Sequence, residues 1–164
     1  MLKGRAFKFG DNVSTDAIIP GRFTELRSNL PELAKHVFEE VRPDFLQHVK
    51  PGDFVVAGRN FGLGSSREHA PRVIKMAGIS AILAKSVARI FFRNAINIGL
   101  PVLRCDTDMI NEGEELEVDL VSGVIKNLSR GVELPSTRIP EFMAKILSEG
   151  GLLPYVDKYG DFQP

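Results

Sequence analysis

Apolar residues recur along this chain in two rhythms, and the rhythms alternate. Residues 5–9 mix polar and apolar positions at the short period of a half-buried strand. Phe54-Val55-Val56-Ala57 and residues 79–84 are continuously apolar, as strands covered on both faces are. Between and beyond these runs the spacing lengthens to three and four. Leu33, Val37 and Phe38 share the inward face of a helix predicted over 30–40, with Asn29 as its cap and Pro31 tolerated in the first turn. Residues 43–49 predict a second short helix, and Pro51-Gly52 a turn. A further helix runs to about Met76 and is stopped by Gly78. Ser86 is expected to cap another, which carries Val87, Ile90, Phe91, Ala95 and Ile98 to Gly99. Residues 101–103 read as one more strand.

Strand and helix taking turns in this way predict an α/β fold, a largely parallel sheet with helices packed on it. The pattern then changes. Residues 115–121 and 124–128 alternate around Ser122-Gly123, a hairpin signature, and Pro140 opens a last helix through Leu147, ended by Gly150-Gly151. No repeat, low-complexity tract or composition break divides the chain. A single domain over 1–164, long enough to bury a core, is therefore expected.

Composition narrows the range of functions. Lys and Arg together number 21, as do Asp and Glu, so the net charge is zero and the basic footprint of a nucleic-acid binder is missing. No stretch approaches the roughly 20 apolar residues of a membrane helix. Met1 to Arg5 leads into the first strand with no apolar signal region, so a cytoplasmic protein is expected. Cys105 is the only cysteine. It cannot form an internal disulfide, which fits a reducing compartment, and one thiol cannot hold an iron–sulfur cluster. His36, His48 and His69 lack a ligand spacing, so no metal or cofactor is expected on this chain itself.

The richest chemistry lies in Gly62-Leu63-Gly64-Ser65-Ser66-Arg67-Glu68-His69-Ala70-Pro71, a glycine turn between an apolar strand and a helical pattern. The amides and positive dipole end of a helix start attract anions, and a guanidinium one residue inside it adds a fork suited to a carboxylate. No Gly-Lys-Ser/Thr closes the loop as in a P-loop, and Arg67 stands where a dinucleotide fingerprint has its third glycine. A purely structural alternative stands beside the anion site: Ser65 to Glu68 has the spacing of a capping box. Pro71 fits a helix only if the first turn begins near it. Asp11-Asn12-Val13-Ser14-Thr15-Asp16 lacks the central glycine of a calcium loop and reads as backbone-satisfying loop chemistry. Phe91 and Phe92 cannot both face one core, so one of them is expected to meet another surface.

Three segments, in order, carry a family likeness: Asp11-Asn12-x-x-Thr15-Asp16-x-Ile18-Ile19-Pro20, Gly62-x-Gly64-Ser65-Ser66-Arg67-Glu68-His69-Ala70, and Ala84-Lys85-Ser86-x-Ala88-Arg89-Ile90-Phe91. Together they resemble the small-subunit family of the 3-isopropylmalate dehydratases (isopropylmalate isomerases) and homoaconitases, which corresponds to the swivelling C-terminal domain of aconitase. The likeness spans about residues 3–151. It implies a β/β/α layered swivel domain with a mixed, partly parallel sheet. It also implies a partner, a large subunit that holds a [4Fe–4S] cluster through its own cysteines and whose active site this chain completes. By the same resemblance Ser65 is the general base, Arg67 binds a substrate carboxylate, and Ser66 and Gly64 belong to the same anion pocket.

The implied reaction removes water from a small branched 2-hydroxy dicarboxylate and returns it at the neighbouring carbon, with iron as the Lewis acid on the hydroxyl. Serine is a poor base in water; amide donors and Arg67 would favour its alkoxide. In the family the loop after Ile-Ile-Pro sorts substrates. Here it carries Arg22, Phe23, Thr24, Leu26 and Arg27. An arginine facing the pocket would favour an added carboxylate, whereas one facing solvent would leave Phe23 and Leu26 to receive an alkyl group. The resemblance therefore implies isopropylmalate isomerisation in leucine biosynthesis, with homoaconitase or another branched-malate dehydratase (citramalate, dimethylmalate) as alternatives. A non-catalytic anion-binding scaffold is the alternative of another class.

Overall fold

A computed structural model describes residues 1–160; the last four residues of the expected 1–164 unit lie outside the described residues. Seven strands form one sheet in the order β4-β3-β2-β1-β5-β6-β7. They are β1 (Leu2–Lys8), β2 (Phe54–Ala57), β3 (Ala81–Ala84), β4 (Val102–Arg104), β5 (Glu115–Asp119), β6 (Val124–Asn127) and β7 (Val132–Pro135). Strands β1 to β4 are mutually parallel, with Ala6 opposite Phe54 and Val55 opposite Ile82. On its other edge β1 pairs antiparallel with β5, Gly4 opposite Leu116, and the ribbon continues antiparallel through β6 to β7.

Side chains of a strand alternate between faces, and that alternation builds two cores. Val55 and Ala57 join Phe7, Phe9 and Ile82 beneath the helices. Phe54 and Val56 point the other way, into a cluster shared with Leu83, Leu116, Val118, Ile125 and Leu134. The antiparallel ribbon thus curls over the back of the parallel strands, giving an α layer on two β layers. This is the α/β swivel architecture the family likeness implied, and it explains why β2 and β3 are apolar at every position.

The helices are α1 (Thr15–Ile18), α2 (Leu30–Ala34), α3 (Phe45–His48), α4 (His69–Met76), α5 (Arg89–Asn97), α6 (Glu141–Ser148) and α7 (Leu152–Tyr159). Asn29 caps α2 as expected, accepting from Glu32 N, but the helix predicted over 30–40 ends at Ala34. Phe38 takes φ +56° and donates its N–H to Ile18 O, which carries its ring inward against Phe9 and Phe45. Aromatic burial there outweighs helix continuation. Gly150-Gly151 does not close the helical region either. Gly151, at φ +132°, donates to Ile146 O and leads into α7, which buries Tyr155 against Ile96 and Ile146.

Candidate active site

Parallel strands deliver their C-terminal ends to one side of a sheet, where clefts form. Here the loops leaving β1, β2 and β3 meet at that side. Isolated parallel bridges join Ser14 to Leu63 and Phe61 to Val87, and Thr15 N donates to Leu63 O at 2.9 Å. Together they frame an open pocket of about 210 Å³ lined by Thr15, Gly64, Ser65, Ser66, Arg67 and the start of α5 from Ala88 to Phe91, with Asn94 behind. Ser65 and Ser66 are exposed in it. Two glycines shape the turn. At Gly62 (φ +80°) a Cβ would lie 2.3 Å from Cγ of Phe91, and at Gly64 (φ +102°) one would lie 3.4 Å from Oγ1 of Thr15.

Thr15 is buried and donates its hydroxyl to Ser65 O at 2.9 Å, pinning the backbone of the serine pair. Arg67 is only 20% exposed at its side chain, and its Nη1 reaches Ile19 O at 2.7 Å and Asp16 Oδ1 at 3.2 Å. The Gly21 N–H on the same carboxyl oxygen, then Arg67, hold Asp16 below the usual carboxylate range. His69, just behind, is pushed down first by burial and then by the charges of Arg67 and Arg27. Arg67 thus lines the pocket beside the serines with part of its charge answered by Asp16.

Several local expectations are corrected by this geometry. Ser65 caps no helix: α4 begins at His69 with Glu68 in the capping position, no side-chain capping bond forms, and Arg67 lies in the loop rather than inside the helix. Pro71 then falls in the first turn, where its missing N–H is harmless. The helix start that opens onto the pocket belongs instead to α5, whose capping residue Ala88 has no side-chain acceptor to offer. Its first amides lack intrahelical partners. Ser86 does not cap α5; its hydroxyl accepts from Asn60 N, bracing the β2 and β3 loops against each other. Phe91 and Phe92 both pack inward, Phe92 bridging two clusters, and the residue left exposed is Ile90 at 52%. Asp11 and Asn12 satisfy loop groups, Asp11 accepting from Arg59 N at 2.7 Å and Asn12 from Asn60 Nδ2 at 3.0 Å.

The loop after Ile-Ile-Pro, expected to sort substrates, stands apart from the pocket lining. Residues Gly21–Leu26 form a 3-10 helix. Arg22 pairs with Glu40 and Glu39 and sits over the Phe23 ring, while Phe23 stacks on His36 with ring centroids 3.8 Å apart. Thr24 donates to Gly21 O at 2.6 Å, and Leu26 packs on the core. Arg27 is exposed, near enough to His69 to influence it. The pocket residues that sequence reasoning left unassigned are Thr15, Arg89 and Asn94. Thr15 and Arg89 could have been reached from the rule that parallel strands gather their outgoing loops.

No cluster of three or more His, Cys, Asp or Glu that could hold a metal occurs among the described residues. Burial pushes the Cys105 thiol up to about 12, so it is a poor ligand. A cluster of iron and sulfur does not fit this chain's own residues.

The curled sheet, with a pocket at the ends of its parallel strands, defines a class, the aconitase-type swivelling domain. The chain matches the aconitase C-terminal domain family over residues 47–107. It is 62% identical, over 99% of this chain and 98% of the relative, to a protein named 3-isopropylmalate dehydratase small subunit 2 of Archaeoglobus fulgidus. It is 59% identical, over 99% and 98%, to 3-isopropylmalate dehydratase small subunit 1 of Thermotoga maritima. It is 54% identical, over 96% and 95%, to the isopropylmalate/citramalate isomerase small subunit of Methanocaldococcus jannaschii. A crystal structure of 3-isopropylmalate dehydratase from the last organism superposes with a TM-score of 0.93 at 45% identity, covering 97% of this chain and 95% of that one. The chain belongs to the family of 3-isopropylmalate dehydratase small subunits. As a small subunit it has a large subunit for partner.

Proposed function

We propose that this chain completes the active site of a hydro-lyase that interconverts 2-isopropylmalate and 3-isopropylmalate in the cytoplasm, as a step of leucine biosynthesis. In this reading the large subunit holds a [4Fe–4S] cluster, which supplies a Lewis acid for the departing hydroxyl. The small subunit's share is proton transfer and carboxylate binding. Ser65 takes the proton from the carbon beside a carboxylate and returns one when water adds at the neighbouring position. Arg67, with Ser66 and the Gly64 backbone, holds a carboxylate of the acid. The observation that carries the reading is the placement of an exposed serine pair in a pocket shared by Arg67 and the uncapped first turn of α5. Donors fixed in advance around the serine favour its alkoxide, which water would not.

A broader substrate range is the second reading, favoured by the relative named isopropylmalate/citramalate isomerase. The test is reconstitution with the large subunit and a panel of isopropylmalate, homoaconitate, citramalate and dimethylmalate. Ser65→Ala should lower turnover by about 100-fold or more, the scale of a lost acid/base group, with the complex still assembled. Near-normal turnover in that variant removes Ser65 from the base role and favours a scaffold that merely grips anions.

A further inference from the structure

Of the two arginines that line the pocket, only one is spent on the fold. Arg67 Nη1 serves Ile19 O at 2.7 Å and Asp16 Oδ1 at 3.2 Å, so part of its fork and of its charge is already answered. Arg89 lines the same pocket from the first residue of α5, is exposed, and has no ion pair or hydrogen bond among the described residues. It does nothing for its own helix, since a cation in the first turn opposes the helix dipole. A locally unfavourable residue held on a rigid element marks a functional demand.

The element is rigid. Ala88 N donates to Phe61 O at 2.9 Å, Val87 bridges Phe61, and the Phe61 and Phe91 rings meet edge to face at 5.2 Å. These contacts fix the Arg89 backbone relative to the Gly62–Ser65 turn. A branched malate carries two carboxylates, and one guanidinium can hold only one of them through a two-pronged contact. Apart from Arg67 and Arg89, every side chain lining the pocket is neutral.

We propose that Arg89 is a second substrate-binding residue, which holds the carboxylate that Arg67 does not. The assignment rests on the isomerase reading given above. It makes the pocket selective for diacids before any contribution from the loop that carries Arg22 and Arg27.

The test uses the reconstituted complex at saturating large subunit, with Arg89→Gln and Arg89→Lys. Arg89→Gln should raise KM for isopropylmalate about 10- to 100-fold, the scale of hydrogen bonds to a charged group, and Arg89→Lys should recover part of it. Two monoacids serve as competitive inhibitors: 2-hydroxy-4-methylpentanoate and 2-(hydroxymethyl)-3-methylbutanoate, each isopropylmalate less one carboxylate. One of them should inhibit wild type and Arg89→Gln alike, while the other weakens with the diacid. An unchanged KM, equal weakening of both monoacids, or a defect confined to subunit assembly would each overturn the assignment. A wild-type complex inert towards every branched malate overturns the isomerase reading, and this one with it, whereas an active wild type with an indifferent Arg89→Gln overturns this one alone.

Discussion

The two halves of the sheet share β1 and come to opposite ends. On one edge β1 runs parallel to β2, and on the other antiparallel to β5. Parallel neighbours need crossovers, so β1, β2 and β3 all finish on the same side and their outgoing loops must meet there. The ribbon β5 to β7 reverses at each turn, so its loops part to alternate ends and gather nothing. It supplies Leu116, Val118, Ile125 and Leu134 to the second core instead. The serine-lined pocket forms in one half because of strand direction, and the other half covers its back.

Glycines at matched backbone angles break this comparison most sharply. Gly62 has φ +80° and lies against the Phe91 ring, whereas Gly113, before β5, has φ +77° and nothing within 4 Å of a built Cβ. Gly113→Ala should cost about 1–2 kcal/mol, from the backbone alone. Gly62→Ala should cost about 3 kcal/mol or more, because Phe91 must also move, and turnover should collapse as the first turn of α5 shifts. Denaturant midpoints of the two variants measure the difference. Equal losses would mean that the packing of the loop on Phe91 contributes nothing.

That contrast also shows what the sequence could and could not reveal. Strands β2 and β3 were legible because continuous apolar runs of that length have few other uses, and the β5–β6 hairpin because Ser122-Gly123 marks its turn. Helix starts were misplaced for one shared reason. Ser65 and Ser86 look like caps, yet each sits in a loop held by long-range contacts, to Thr15 and Asn60 respectively. Local spacing cannot register a partner 26 or 50 positions away. The serine pair and Arg67 were legible as a motif with a role, whereas Arg89 stood in the third family segment with no role attached, inside an ordinary helical pattern. Only the convergence of loops gives it a place in the pocket. The short β7 went unseen, and α7 lay behind two glycines that read as a stop.

Asp16→Asn tests how much the pocket depends on the posture of Arg67. Losing the charge while keeping an acceptor should lower kcat/KM about tenfold, the cost of loosening a positioned group. The pH dependence has a definite sign. Asp16 is held below the usual carboxylate range by Gly21 N–H and Arg67, so its ionic contribution to stability is complete above the ordinary aspartate pKa of about 3.9. It is lost only as pH falls through the lower value in the folded protein. The melting-temperature gap between wild type and Asp16→Asn should stay constant near neutrality and shrink in acid. A gap that opens with falling pH would reverse the assignment.

A smaller effect is expected at Thr15, whose buried hydroxyl holds Ser65 O. Thr15→Val keeps the shape and removes one hydrogen bond worth about 1 kcal/mol, so kcat should drop about fivefold with KM little changed. Thr15→Ser should restore it. If KM rises instead while kcat holds, Thr15 shapes the binding pocket and does not position the serine.

The smallest effect should come from Arg22, and it separates the loop after Ile-Ile-Pro from the pocket. Arg22 pairs with Glu39 and Glu40 with more than half of its side chain in water, a setting in which ion pairs contribute about 0–1 kcal/mol. Arg22→Ala should therefore shift the melting temperature slightly and leave KM for isopropylmalate within about twofold of wild type, a size set by that weak surface coupling. Wild type and variant should also rank the diacids of the panel identically. A changed ranking would mean that assembly with the large subunit turns the loop onto the substrate, breaking a pair that the isolated chain keeps. Recognition would then be divided between the loop and α5, and the parallel half of the sheet would extend its influence beyond the three strand ends that build the pocket.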